Sequence, residues 1–195
     1  MKKAVVIFLV LAMFTAVAFA AEAPAAEPTP ETAPVMEVPK LEGPYLVTTC
    51  GQSPGAVMVS MSAMQAGVKA THNNSLTAQD IAAGEFKTLI VTSGTSMKGM
   101  GAAGTNVDAE IERCMKVIEA AKAADMVIVG AHIEGMARRT DSSDAASIEA
   151  VMGAADVILV IEDSDSDGFF TQYAQENQKP LIKVKDALGI GPVLQ

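Results

Sequence analysis

The sequence predicts an α/β domain built on a mostly parallel sheet, and three observations lead to it. Val157–Phe170 (VILVIEDSDSDGFF), Lys87–Ser93 (KTLIVTS) and Met126–His132 (MVIVGAH) each begin as an apolar run that does not alternate with polar residues, as a strand buried on both faces requires. Each run empties into polar residues, and a helical pattern follows, so strands and helices alternate along the chain. Right-handed crossovers then place helices on both faces, giving a three-layer, doubly wound sandwich of the flavodoxin or Rossmann type. The polar residues that close the strands collect along one edge of such a sheet, beyond the carboxyl ends, where ligands bind.

Two segments of different composition precede the domain. Lys2 and Lys3 lead an apolar run from Ala4 to Phe19, broken only by Thr15, and Ala18-Phe19-Ala20 fits a small-x-small cleavage site. Residues 1–20 therefore read as a signal peptide cleaved near Ala20, since the run is shorter than the roughly 20 residues of a comfortable membrane span. The chain is expected to be exported, to the periplasm or outside the cell. Residues 21–43 are rich in Pro, Ala and Glu with little to bury, which makes a stiff tether. Residues 44–195 form one domain, because a chain of 195 residues, 50% hydrophobic and 4% aromatic, supports one good core and not two.

Within the domain, Tyr45–Cys50 is the first strand, and Gly51–Gly55 turns the chain into a helix running to about Gln65. That helix spaces Met58, Met61 and Met64 three apart. The spacing suits a buried helical stripe, which is the preferred reading, and also a soft-metal site for copper(I). A short strand at Val68–Thr71 and a helical turn at Leu76–Ala83 lead to the strand Lys87–Ser93. The following stretch, Gly94–Asn106, reads as a long loop and contains GMGAAG at Gly99–Gly104. A dinucleotide fingerprint needs that glycine run directly at the strand end, with an acidic residue closing the next strand. Here five residues intervene and the next strand ends in Gly130-Ala131-His132, so the glycines instead mark a backbone able to approach something closely. Asp108–Ala124 is an amphipathic helix, and Met126–His132 leads through a polar loop to a helix at about Asp144–Met152. Asp156–Ile161, a helix at Gly168–Glu176 and a last strand at Leu181–Val184 complete the order, before a tail containing Gly and Pro.

Charge narrows the partners. Without Lys2 and Lys3 the chain keeps 12 basic residues against 23 acidic ones, which opposes binding to a nucleic-acid backbone. Export permits a disulfide, but Cys114 falls on the face of its helix that should be buried, and two separate free thiols are expected. Asp163, Asp165 and Asp167, followed by Gly168, match the first half of a calcium loop, with Ala174 where its bidentate Glu belongs. They are the metal candidates, for calcium or magnesium, and a helix cap is the simpler alternative. Lys98, Arg138 and Arg139 are candidates for an anion pocket, with Gln52, Ser53, Ser93, Thr95 and Ser96 as polar ligand contacts. A catalytic arrangement would use Cys50 as nucleophile, His132 as base and Glu134 to orient it.

The blocks GPYLVTTCGQSPGA, KTLIVTSGTSMKGMGAAGT, VGAHIEGMARRTD, IEDSDSDGFF and PLIKVKDALGIGPVL together resemble an uncharacterised family of secreted bacterial proteins, over nearly all of the chain beyond the tether. The resemblance implies an exported α/β domain and assigns no residue a role. The function expected is a binding module for a small polar or anionic ligand, metal-assisted, at the carboxyl edge of the sheet, serving a membrane transport or sensing partner. The alternatives are a small extracytoplasmic hydrolase or transferase using Cys50 and His132, and a metal-stabilised interaction domain.

Overall fold

The computed structural model describes residues 36–82 and 84–195. The expected signal peptide and most of the tether lie outside the described residues. No helix among the described residues is long and apolar enough to cross a membrane.

Six strands form one sheet: β1 (Tyr45–Cys50), β2 (Ala70–His72), β3 (Thr88–Ser93), β4 (Val127–His132), β5 (Val157–Ile161) and β6 (Leu181–Val184). Every pairing is parallel and the order is β2-β1-β3-β4-β5-β6. The four central strands are almost wholly buried, which explains their unbroken hydrophobicity. Successive side chains leave on opposite faces. Leu46, Leu89, Val91, Ile128 and Ile158 point to one core, and Tyr45, Val47, Ile90, Val129 and Leu159 to the other.

The first core is covered by α2 (Ala78–Ala82), α4 (Val107–Ala123), α5 (Ser142–Ala154) and α6 (Phe169–Glu176). In α4, Cys114, Val117, Ile118 and Ala121 are buried at helical spacing, and Asn106 caps the first turn by accepting from Ala109 N at 3.0 Å. The second core is covered by α1 (Gly55–Gln65), which lays its small residues Ala56, Val59 and Ala63 on the sheet, and by the short α7 (Ile190–Val193). Two helical layers around a parallel sheet make the three-layer, doubly wound architecture. Strand order reverses between β1 and β3, which fixes the switch point there.

Four local readings change. The stretch after β3 is not an open loop, because Met97–Ala103 forms a helix, α3, capped by Ser96 and ended by Gly104 in the left-handed conformation at φ 67°. The second strand begins two residues and ends one residue later than predicted, at a sheet edge where burial gives little signal. The tail folds as α7 and docks on α1, with Gly191 N donating to Ser62 Oγ at 2.8 Å. The methionine stripe of α1 reaches the core only at Met58: Met61 and Met64 are exposed, and Ala56, Val59 and Ala63 make the buried face.

Candidate functional site

The crevice at the switch point is closed by the protein itself. Gln52, after β1, bridges Thr95, after β3, and Ser96 N donates to Gly51 O at 2.8 Å. Gly99 presses on the same turn, where a Cβ would stand 2.2 Å from the Gln52 carbonyl oxygen. The close approach expected of the GMGAAG glycines is therefore made to the chain's own backbone.

Three buried carboxylates hold the loops in place. Glu110, on α4, accepts from Gly51 N at 3.3 Å and Gln52 Nε2 at 3.0 Å, and pairs with Arg113 at 2.8 Å. Arg113 also donates to the Leu76 and Thr49 carbonyls, so the end of β1 is tied to α4. Asp144, on α5, accepts from Thr95 N at 2.8 Å, Thr95 Oγ1 at 2.7 Å and Thr140 N at 3.1 Å. Burial alone would raise its pKa, but those hydrogen bonds hold it below the ordinary value. Glu134 accepts from Gly55 N at 2.9 Å and from Arg138 Nε at 3.1 Å, while Arg138 also donates to Thr95 O at 2.7 Å. Sequence reasoning missed both Glu110 and Asp144 as clamps, and Asp144 entered it only as the start of a helix. The one signal for the Glu110–Arg113 pair was its i,i+3 spacing beside the buried face of Cys114.

The predicted ligand contacts are distributed through this network. Ser53 is buried against Thr49 Oγ1 at 3.2 Å, Ser93 bonds Ala131 O and His132, Thr95 is held by Asp144, and Ser96 caps α3. Lys98 is exposed on α3. Arg138 is neutralised by Glu134, and Arg139 makes a two-pronged pair with Asp167 at 2.8 and 3.0 Å. Lys98, Arg138 and Arg139 do not form one positive pocket, because both arginines spend their guanidinium groups on neighbouring carboxylates and carbonyls.

Cys50, His132 and Glu134 do not assemble into a catalytic triad. Cys50 is fully buried in the apolar layer under α4, in the same core cluster as Cys114, whose thiol donates to Thr49 O at 3.4 Å. Interaction with the Cys50 thiol and burial push the Cys114 thiol up, while interaction with Cys114 lowers the Cys50 thiol against the effect of burial. Both thiols are free, as expected. His132 turns instead to Ser93, with Nδ1 at 3.0 Å from Oγ, and its Nε2 lies 3.3 Å from Gly135 O. The ring stacks on Phe170 at 5.2 Å and is fully buried, and burial lowers its pKa to about 4. A Ser–His contact sealed in this way is a structural pair, since neither group meets solvent.

The acidic loop does not converge on a cation either. Asp163 accepts from Met136 N at 3.2 Å. Asp165 turns inward, accepting from Phe170 N at 2.7 Å and Thr171 N at 3.1 Å and pairing with Lys183, so it caps α6. Asp167 turns to Arg139, whose hydrogen bond lowers its pKa to about 2. Among the described residues no group of three His, Cys, Asp or Glu is placed to hold a metal ion. Each carboxylate has a separate hydrogen-bonding task, which relieves the repulsion that a shared cation would otherwise offset.

An open concavity lies beside this sealed crest, between α5 and α6. Arg139, Asp141, Ile148, Glu149, Phe169 and Tyr173 line a cleft of about 470 Å³. Phe169 and Tyr173 stack at 6.4 Å, and the Arg139 guanidinium lies 4.5 Å over the Phe169 ring. Burial and the Glu149 carboxylate raise the Tyr173 phenol pKa. Of the predicted residues only Arg139 reaches this cleft. Phe169 and Tyr173 were readable as an i,i+4 aromatic pair on a short helix, but only the packing of α5 against it makes them a wall.

Fold and site together define a parallel α/β domain with a sealed switch point and a lateral aromatic cleft. Residues 42–195 match the domain of unknown function DUF6305, and the chain belongs to that family. No curated protein matches. Solved structures with partial similarity include a GDSL-like lipase from Bacteroides thetaiotaomicron VPI-5482, at 10% identity and TM-score 0.35, over 71% of this chain and 66% of that one. Another is a protein named as an acylhydrolase from Bacteroides fragilis NCTC 9343, at 10% identity and TM-score 0.34, over 75% of this chain and 71% of that one. The chain thus spans just under two thirds of the first of these structures.

Proposed function

We propose that this domain is an exported binding module, and that its ligand is a small zwitterion with an aromatic or aliphatic group, of amino-acid type. The observation that supports this most is the α5–α6 cleft, which combines apolar walls at Ile148, Phe169 and Tyr173 with charge of both signs at Arg139, Asp141 and Glu149. A ligand carboxylate would compete with Asp167 for Arg139, a ligand ammonium would face Asp141 and Glu149, and the apolar part would stack on Phe169 or Tyr173. This narrows the small polar or anionic ligand expected from sequence to a zwitterion, because a purely anionic molecule would meet two carboxylates and a single arginine already paired. Binding is favoured over catalysis because Cys50, Ser93 and His132 are all sealed. Export rests on the N-terminal sequence, and a transport or sensing partner would act on the ligand-loaded domain.

The test is a thermal-shift screen of the amino acids and their decarboxylated amines, followed by calorimetry. At about 100 times Kd a ligand should stabilise the fold by roughly 2.7 kcal/mol. Glu149→Gln should remove that stabilisation and leave the unliganded fold intact, and Tyr173→Ala should remove it while lowering the melting temperature of the unliganded protein, since Tyr173 packs against the first core. A ligand that binds equally well to both variants would contradict the site.

A further inference from the structure

From the surface of α1 we infer a second site, unrelated to the α5–α6 cleft and on the opposite face of the sheet. Met58, Met61 and Met64 form a thioether site for a soft monovalent cation, copper(I) or silver(I). The three line one groove of about 550 Å³ between α1 and the turn at Ala187–Gly189, together with Ser62, Gln65 and Leu188. Met58 is half-buried at its base, packed against the core, while Met61 is 60% and Met64 72% exposed. The core contacts of α1 are supplied by Ala56, Val59 and Ala63, which leaves Met61 and Met64 free of any packing role.

The spacing allows convergence. Steps of three residues advance about 4.5 Å along the axis and keep the side chains on one face. Methionine is unbranched, with three rotatable bonds, so its sulfur can swing toward a shared point. The donors in the groove then select the ion. It has no carboxylate or imidazole in its lining, and the Ser62 hydroxyl is already committed to Leu188 O at 3.1 Å and Gly191 N at 2.8 Å. Hard cations such as calcium or magnesium gain nothing from thioethers, whereas soft ions prefer them. The apolar rim, with Leu188 65% exposed, lowers the competition from water, and the net charge of −9 attracts any cation.

Native mass spectrometry with silver(I), and competition against a copper(I) chelator under anaerobic reduction, test the site on the full chain. One tightly held ion per chain is expected. In protein labelled at the methionine methyl carbons, the signals of Met58, Met61 and Met64 should move while that of Met97 stays. Met61→Leu and Met64→Leu should each weaken binding by about tenfold or more. The triple Leu variant should bind no ion while melting as the parent does, since Leu conserves the volume. Met97→Leu, exposed on α3, should bind as the parent does. Absence of binding by the parent would overturn the inference. So would retention of the ion by the triple variant, which would assign it to the thiols of Cys50 and Cys114.

Discussion

At the scale of single residues, the buried polar groups make the fold sensitive to acid in an assignable way. The His132 pKa of about 4 lies below the ordinary value of 6.5, so between those values the unfolded chain takes up a proton that the folded chain refuses. The sign follows. His132 contributes stability that is fully present above pH 6.5 and is lost as pH falls toward 4. The loss should reach about 3 kcal/mol. Denaturant melts across that range should show the slope, and His132→Gln should flatten it whatever it does to stability at neutral pH. Asp165 tests the reading of the acidic loop. Asp165→Asn should destabilise by about 2 kcal/mol, and millimolar calcium or magnesium should not change the melting temperature of the parent or the variant. A cation-dependent rise in the parent alone would restore the metal reading.

At the scale of elements, α4 and α5 act as clamps on the loops. Arg113→Ala leaves Glu110 buried without its partner and should destabilise by about 3 kcal/mol. Hydrogen exchange should then accelerate first at the Gly51 backbone amide, which donates to Glu110, and at the Gln52 side-chain amide that shares this acceptor. Strands were the most legible elements, since β3, β4 and β5 are buried on both faces and carry no other pattern. Helix boundaries were read to within about two residues, at Asp108–Ala124 for α4 and about Asp144–Met152 for α5, and the caps Asn106 and Asp141 that set their starts were not recognised. The helix α3 escaped notice because glycines at 99, 101 and 104 argue for a loop, and packing of Gly99 on Gln52 overrides that propensity. The stripe on α1 was misjudged because periodicity marks a face without saying whether anything covers it.

At the scale of the whole molecule, parallel strands deliver their carboxyl ends to one edge, as the sequence implied, and the loops from β1, β3, β4 and β5 do meet there. What they form was not legible. Polar residues at strand ends serve equally well to bind a ligand or to bind one another. Here Glu110, Glu134 and Asp144 resolve that choice by bonding to backbone donors of neighbouring loops. These contacts link residues 49 to 79 positions apart in pairs such as Thr95–Asp144 and Gly55–Glu134, a separation at which local pattern carries no information. Sealing the switch point moves the open surface sideways, to the cleft between α5 and α6. The most direct measurement is chemical-shift mapping with L-phenylalanine and phenethylamine at millimolar concentration on labelled protein. The perturbed signals should cluster at Arg139, Glu149, Phe169 and Tyr173, and those of Gln52, Ser93, Thr95 and Lys98 should stay in place. Perturbations centred on the Gln52 and Thr95 loops would contradict the sealed switch point, and a spectrum unchanged by both compounds would contradict the cleft as the binding site.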